Sequence, residues 1–109
     1  MRNLTAALLV AASLTSIATA SYAETARFTD AQFIKVSRCR GLAGAPTLNG
    51  DKAAYDAVIK VQRQGRDTYI RDRADQARSD AEHQARNAGD GEKQALTEEL
   101  NGACAAMLS

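Results

Sequence analysis

The chain has 109 residues, of which 45% are hydrophobic and 5% aromatic, with no Trp, one Pro and a formal net charge of +1 at pH 7. That length holds one small domain, and a charge so near neutrality excludes a nucleic-acid or membrane-surface binder driven by bulk electrostatics. Alanine is abundant, and large apolar and alternating β-branched residues are scarce, which predicts an all-α fold with close, alanine-mediated packing.

Residues 1–23 read as a secretory signal peptide. Arg2 supplies the positive end, Leu4 to Ile17 the apolar run, and small residues follow. Cleavage is expected after Ala23 (Ser21-Tyr22-Ala23) in preference to Ala20 (Ala18-Thr19-Ala20), because a cut at Ala20 leaves almost no small-residue stretch behind Ile17. A bilayer span needs about 20 predominantly apolar residues. This run is shorter and carries Thr5, Ser13, Thr15 and Ser16, so no stable membrane anchor is expected after cleavage. The short leader has a bacterial character, and the expected location is the periplasm or the medium. The mature part, 24–109, is expected to be a single helical domain. Without Arg2, it carries 13 basic and 13 acidic side chains.

The first helix has a complete start signal. Thr29 is the N-cap and Gln32 completes a capping box, while Phe28 and Phe33 can form a hydrophobic staple. Phe33, Val36, Cys39 and Ala43 recur at helical spacing, and Gly41 or Gly44 can end the helix. Pro46 and Asn49-Gly50 mark a turn. A second helix begins near Asp51. It offers one apolar stripe of Ala54, Val58 and Val61, with Tyr55, Ile59 and Gln62 beside it. Gly65 interrupts a polar run. Beyond it, Ile70, Ala74, Ala77, Ala81, Ala85 and Ala88 form a narrow small-residue seam, which Asn87, Gly89 and Gly91 stop. The last helix starts near Asp90 and places Leu96, Leu100, Ala103, Cys104, Met107 and Leu108 on one face, with Asn101-Gly102 weakening its middle.

Cys39 and Cys104 are the only cysteines, an even count in an oxidising compartment, and are expected to pair. The bridge would close a loop of about 66 residues and contribute on the order of 4 kcal/mol in the chain-entropy model. It also decides whether Gly65 bends the chain. One straight helix over 51–88 would be about 57 Å long and would hold the two cysteines about 30 Å apart, whereas bridged Cα atoms approach within about 7 Å. The expectation is therefore a four-helix up-down bundle with a break near Gly65 and Asp67 capping the third helix. The alternative, without an intramolecular bridge, is three helices with one long central helix over 51–88.

The residues that draw attention have plain readings. Six arginines (63, 66, 71, 73, 78, 86) and five acids (67, 72, 75, 80, 82) fall in 63–86. Their spacing predicts helical ion pairs at Asp67–Arg71, Arg78–Glu82, Glu82–Arg86 and Asp75–Arg78 on a solvated face. His83 is the only histidine, faces water and lacks a ligand set, so no metal site is expected. No nucleophile–base pattern or phosphate loop is visible around Ser37 or Ser79, and Glu98-Glu99 and Asp72/Asp75 have the spacing of exposed carboxylates, so no catalytic residue and no cofactor are expected. Neither cysteine lies in a C-x-x-C motif, which weakens a redox-enzyme reading. Tyr55 and Tyr69 are expected to fill the core across the Gly65 bend. The seam Ile70, Ala74, Ala77, Ala81 and Ala85 is the candidate interaction surface, with the last helix of the same chain its expected mate and a second protein the other possibility.

In size, export signal and single cysteine pair the chain resembles the small helical acid-stress chaperones of the bacterial periplasm. Those proteins carry a Trp beside the first cysteine and a shorter span to the second, so no residue is carried over from them. The function expected is that of a non-catalytic exported protein that binds another envelope protein, with no nucleic-acid partner. The alternative is an acid- or stress-linked periplasmic chaperone that exposes its seam when carboxylates protonate. Oligomeric state is left open.

Overall fold

A computed structural model describes residues 26–109; the expected cleavage sites lie outside these residues. Four helices follow in order: α1 (Asp30–Gly44), α2 (Lys52–Arg63), α3 (Thr68–Arg86) and α4 (Asp90–Glu99), the last running on into a π-helical turn, Leu100–Cys104. There is no strand among the described residues.

The start of α1 follows from its cap. Thr29 Oγ1 accepts from the Gln32 amide at 3.1 Å, and Gln32 Oε1 accepts from the Thr29 amide at 2.9 Å. Two of the backbone N–H groups that a helix start leaves free are thereby satisfied. Phe33, Val36, Cys39 and Leu42 are fully buried, so α1 forms the central rod. The helix continues to Gly44, and Gly41 sits inside it. A Cβ at Gly41 would stand 2.2 Å from the Arg78 carbonyl oxygen and 2.9 Å from the Ala81 Cβ. Gly41 is therefore a helix-crossing position, and of the two glycines expected to end the helix it is Gly44 that does.

The break at Gly65 is present and the long central helix is not. The α2 helix ends at Arg63, Gly65 takes φ +74°, and Asp67 Oδ1 accepts from the Ile70 amide at 3.0 Å to cap α3. A positive φ is open to glycine at no steric cost, which makes this polar stretch a place where the chain reverses cheaply. Arg63 spans the bend with two hydrogen bonds to Asp75, at 2.8 and 3.1 Å. Asp75 was expected to pair with Arg78 and instead reaches this cross-helix partner. Asp67–Arg71 is likewise replaced, since Asp67 caps and Arg71 Nη2 donates to Thr68 Oγ1. Glu82 does take both Arg78 and Arg86, at 3.6 and 3.8 Å.

The helices alternate in direction. The α2 helix returns along α1, placing Asp56 beside Arg40 and Gln62 beside Phe28. The α3 helix then runs parallel to α1, with Arg66 against Asp30 at one end and Glu82 near Gly44 at the other. The alanine seam is the α1-facing side of α3. Ala74, Ala81 and Ala85 are buried, Ile70 and Ala77 half-buried, and α1 is the main neighbour of α3. The expected mate, the last helix, is thus displaced by α1, whose Gly41 lets the two backbones approach. The buried part of the seam is thus internal packing, while Ile70 and Ala77 keep part of their surface.

Cys39 and Cys104 are bonded, with Cα atoms 5.5 Å apart and both residues fully buried. The π-helical turn falls where Asn101-Gly102 weakens the helix. A π turn inserts an extra residue into the helical ladder; here it leaves Leu100 and Cys104 buried and Ala103 exposed. Ala103 was expected on the buried face. From Leu100, near Ala43 and Gly50, the chain runs back along α2 toward Phe28.

Candidate interaction surface

The second helix presented two apolar stripes in sequence, and only one could face α1. The structure buries Tyr55 and Gln62, half-buries Val58 and Ile59, and leaves Val61 56% exposed. Gln62 decides the register. Its side-chain oxygen accepts from the Phe28 amide at 2.9 Å, and this turns Val61 outward. An apolar β-branched side chain is thereby placed at the surface beside Ala57.

A short clamp holds this register. Arg66, expected on a solvated face, has its side chain only 4% exposed. It donates to Gln62 O at 2.7 Å, to Asp30 Oδ1 at 2.6 Å and to Phe28 O at 2.6 Å, and its guanidinium carbon lies 4.7 Å from the centre of the Phe33 ring. The guanidinium fork suits this role because it directs several donors in one plane while stacking on an aromatic face. The start of α1, the end of α2 and the bend are fixed to one another by this one side chain. Tyr69 was expected in the core but is 67% exposed; Arg66 and Phe33 occupy the space at the bend.

Opposite α2 lies the end of the described chain. Residues Leu100–Ser109 contain no charged side chain. Within them Met107 and Leu108 are half-buried while Ala105 and Ala106 are exposed. The Met107 amide donates to Cys104 O at 3.0 Å and the Leu108 amide to Ala105 O at 3.1 Å, which closes a turn right after the disulfide. Between this turn and α2 runs a groove of about 410 Å³. Phe28 stands at one end, Ala57, Val58 and Val61 form one wall, and Met107 and Leu108 form the other. Two exposed basic residues adjoin its lining residues in sequence: Lys60 precedes Val61 on α2, and Arg27, which donates to Gln64 O, precedes Phe28. Neither forms an ion pair among the described residues.

The α4 helix is anchored by a polar relay. Arg38 donates to both carboxylate oxygens of Glu99, at 2.8 and 3.0 Å, and to Gln84 Oε1 at 3.1 Å; Gln84 in turn donates to Glu92 at 3.0 Å. The hydrogen bonds from Arg38 hold the Glu99 carboxyl below its ordinary range, against the opposing effect of burial, with the Lys35 charge adding a little. A carboxylate with a depressed folded-state pKa contributes stability above its unfolded pKa, about 4.3 for Glu, and loses it as pH falls through the folded value. Glu99→Gln should therefore cost roughly 1 kcal/mol at pH 7, and the difference from wild type should shrink as pH falls below the ordinary carboxylate range. Denaturation midpoints at pH 7 and down the acid limb check this.

The other expected residues lie apart from the groove. His83, Asp72 and Asp75 are exposed on α3, and Glu98 is exposed on α4. No group of three or more His, Cys, Asp or Glu side chains converges among the described residues. No helix among them is long and apolar enough to cross a membrane. No family model, curated protein or solved structure matches this chain, and the groove is therefore read from its own chemistry.

Proposed function

We propose that this chain is a non-catalytic exported protein whose α2/C-terminal groove takes an apolar segment of another polypeptide carrying acidic residues on its flanks. The observation that carries the reading is the exposed Val61 facing Met107 and Leu108 across a groove, with exposed Lys60 and Arg27 next in sequence to its lining residues Val61 and Phe28. An exposed apolar groove marks an interaction site more often than a scattered exposed residue does, and cations beside it without an ion-pair partner favour an anionic partner. The buried disulfide is compatible with an oxidising compartment, and with the apolar leader of 1–23 it supports the periplasm or the medium as the place of action.

Selection of displayed random peptides against the oxidised protein tests the reading. The expected consensus has two or three apolar residues flanked by Asp or Glu, and Val61→Lys should weaken the selected peptide by at least ~10-fold, the cost of desolvating a charge on an apolar contact. A failure to select any consensus, or binding indifferent to Val61→Lys, overturns it. A concentration-dependent dimer broken by Val61→Lys would instead make the occupant a second copy.

The acid-linked chaperone alternative meets a structural obstacle. Its proposed sticky surface, the seam Ile70–Ala85, is the α1–α3 interface, so exposing it requires parting the two most closely packed helices.

A further inference from the structure

We infer that the Cys39–Cys104 bridge is the latch that assembles this groove, so that the binding surface exists only in the oxidised protein. The inference concerns regulation of the site proposed above and rests on that reading for its biological meaning. The α2 wall belongs to a unit built without the bridge. The Arg66 clamp joins α1, α2 and the bend; Arg63–Asp75 and Arg40–Asp56 join α2 to its neighbours; Gly41 seats α1 on α3. The α4 helix has its own noncovalent hold in Arg38–Glu99, Gln84–Glu92 and buried Leu96.

The second wall is held by apolar packing alone, with Met107 and Leu108 half-buried against the core. After Leu100 the chain has no charged side chain to pair, it opens on Asn101-Gly102, and up to Ala106 only Cys104 is buried. Asn and Gly are poor helix formers. Met107 and Leu108 are positioned by a turn that begins at the Cys104 carbonyl. Their placement against α2 therefore depends on where Cys104 is pinned, and the bridge to Cys39 pins it. With the bridge open, the same apolar residues remain but no longer face Val61, and half the groove is lost.

The chemistry is ordinary thiol–disulfide exchange. A thiolate of one cysteine attacks a sulfur of a disulfide oxidant, either a thiol oxidoreductase or a small disulfide. One oxidant thiolate leaves and a mixed disulfide forms. The second cysteine, as thiolate, attacks the protein sulfur of that mixed disulfide and expels the second oxidant thiolate. The protein pair loses two electrons and two protons, and the oxidant gains them as two thiols. Because both protein sulfurs end fully buried, the finished latch is shielded from further exchange until the segment opens. The groove is thus withheld in a reducing compartment and completed after export.

The experiment compares oxidised wild type, wild type kept in a phosphine reductant, and Cys39→Ala/Cys104→Ala. Backbone NMR gives the secondary shifts of each. In both bridge-free states, residues 101–108 should move to random-coil values while 30–44, 52–63 and 68–86 stay helical, and a peptide selected on the oxidised protein should bind at least ~10-fold more weakly, because Met107 and Leu108 no longer form a wall of the groove. Helical shifts retained over 101–108 overturn the inference. Loss of all helical shifts also overturns it, because the bridge would then hold the whole domain and not one wall. Peptide affinity equal in all three states overturns it too. The groove reading and the latch separate cleanly: Met107→Lys/Leu108→Lys in the oxidised protein should abolish peptide binding with the segment still helical, and if it does not, the groove reading fails while the latch stands on the shifts.

Discussion

Gly41→Ala should destabilise the domain by about 2–4 kcal/mol, although helix propensity alone predicts a gain. In an exposed helix interior, alanine is better than glycine by about 1 kcal/mol. Gly41 is not exposed. Its added methyl would meet the Arg78 carbonyl oxygen at 2.2 Å and the Ala81 Cβ at 2.9 Å. The nearest obstacle is backbone, so no side chain can rotate away, and α1 and α3 must part along the seam. Overpacking of this kind costs 1–3 kcal/mol and occasionally more; here it also loosens Ala74, Ala81 and Ala85, which have little area of their own to lose. A domain of this size shifts by roughly 4–8 °C per kcal/mol, so the melting temperature should fall by roughly 8–32 °C. A melting temperature at or above that of wild type would mean that the helices are not in backbone contact.

Arg66→Leu should cost about 2–4 kcal/mol, and Arg66→Lys should recover little of it. Leucine fills similar space but leaves the Phe28 and Gln62 carbonyls without the donors that now meet them, and an unsatisfied buried acceptor costs about 1–3 kcal/mol. The stacked contact on Phe33 goes too, worth about 0.5–1 kcal/mol. Lysine keeps the charge but cannot send three donors in fixed directions to Asp30, Phe28 O and Gln62 O. Because Asp30 is itself 60% exposed, little of the loss should be recovered by adding salt or by Asp30→Asn. Chemical denaturation of the three variants measures it. A loss below 0.5 kcal/mol, typical of a surface ion pair, would place Arg66 outside the core.

Much of this fold was legible in the sequence, for reasons that are local or geometric. The Thr29/Gln32 box needs only four consecutive residues to specify it. The break at Gly65 and the Asp67 cap followed from bridge geometry, because a straight helix cannot bring residues 39 and 104 together. Other features were decided by contacts that a single sequence does not display. The two stripes of α2 are nearly equal in apolar content, and the choice between them fell to a polar residue, Gln62, reaching the Phe28 amide. Arg66 sits among charges and reads as solvated, yet its long stem carries the guanidinium under Phe33. Asp75 lies three residues from Arg78, but Arg63 across the bend offers a two-pronged partner. The seam was legible as a packing surface; its mate was not, since the clue is the missing side chain at Gly41, which reads equally well as a helix stop.

The candidate site was less legible than the fold. Val61 belonged in sequence to a buried stripe, and Met107 and Leu108 to a regular helix end. Their meeting across a groove depends on the register of α2 and on the π turn, both set by tertiary contacts. What the sequence did offer was the absence of charge from Leu100 to Ser109, a signal readable as unclaimed apolar surface.

Titrating the oxidised, isotope-labelled protein with a selected peptide, while recording its amide and methyl NMR spectra, should give saturable shifts confined to Phe28, Val58, Val61, Met107 and Leu108. Shifts centred on the outer face of α3, around Gln76 and Asp80, or none at saturating peptide, would contradict the groove reading.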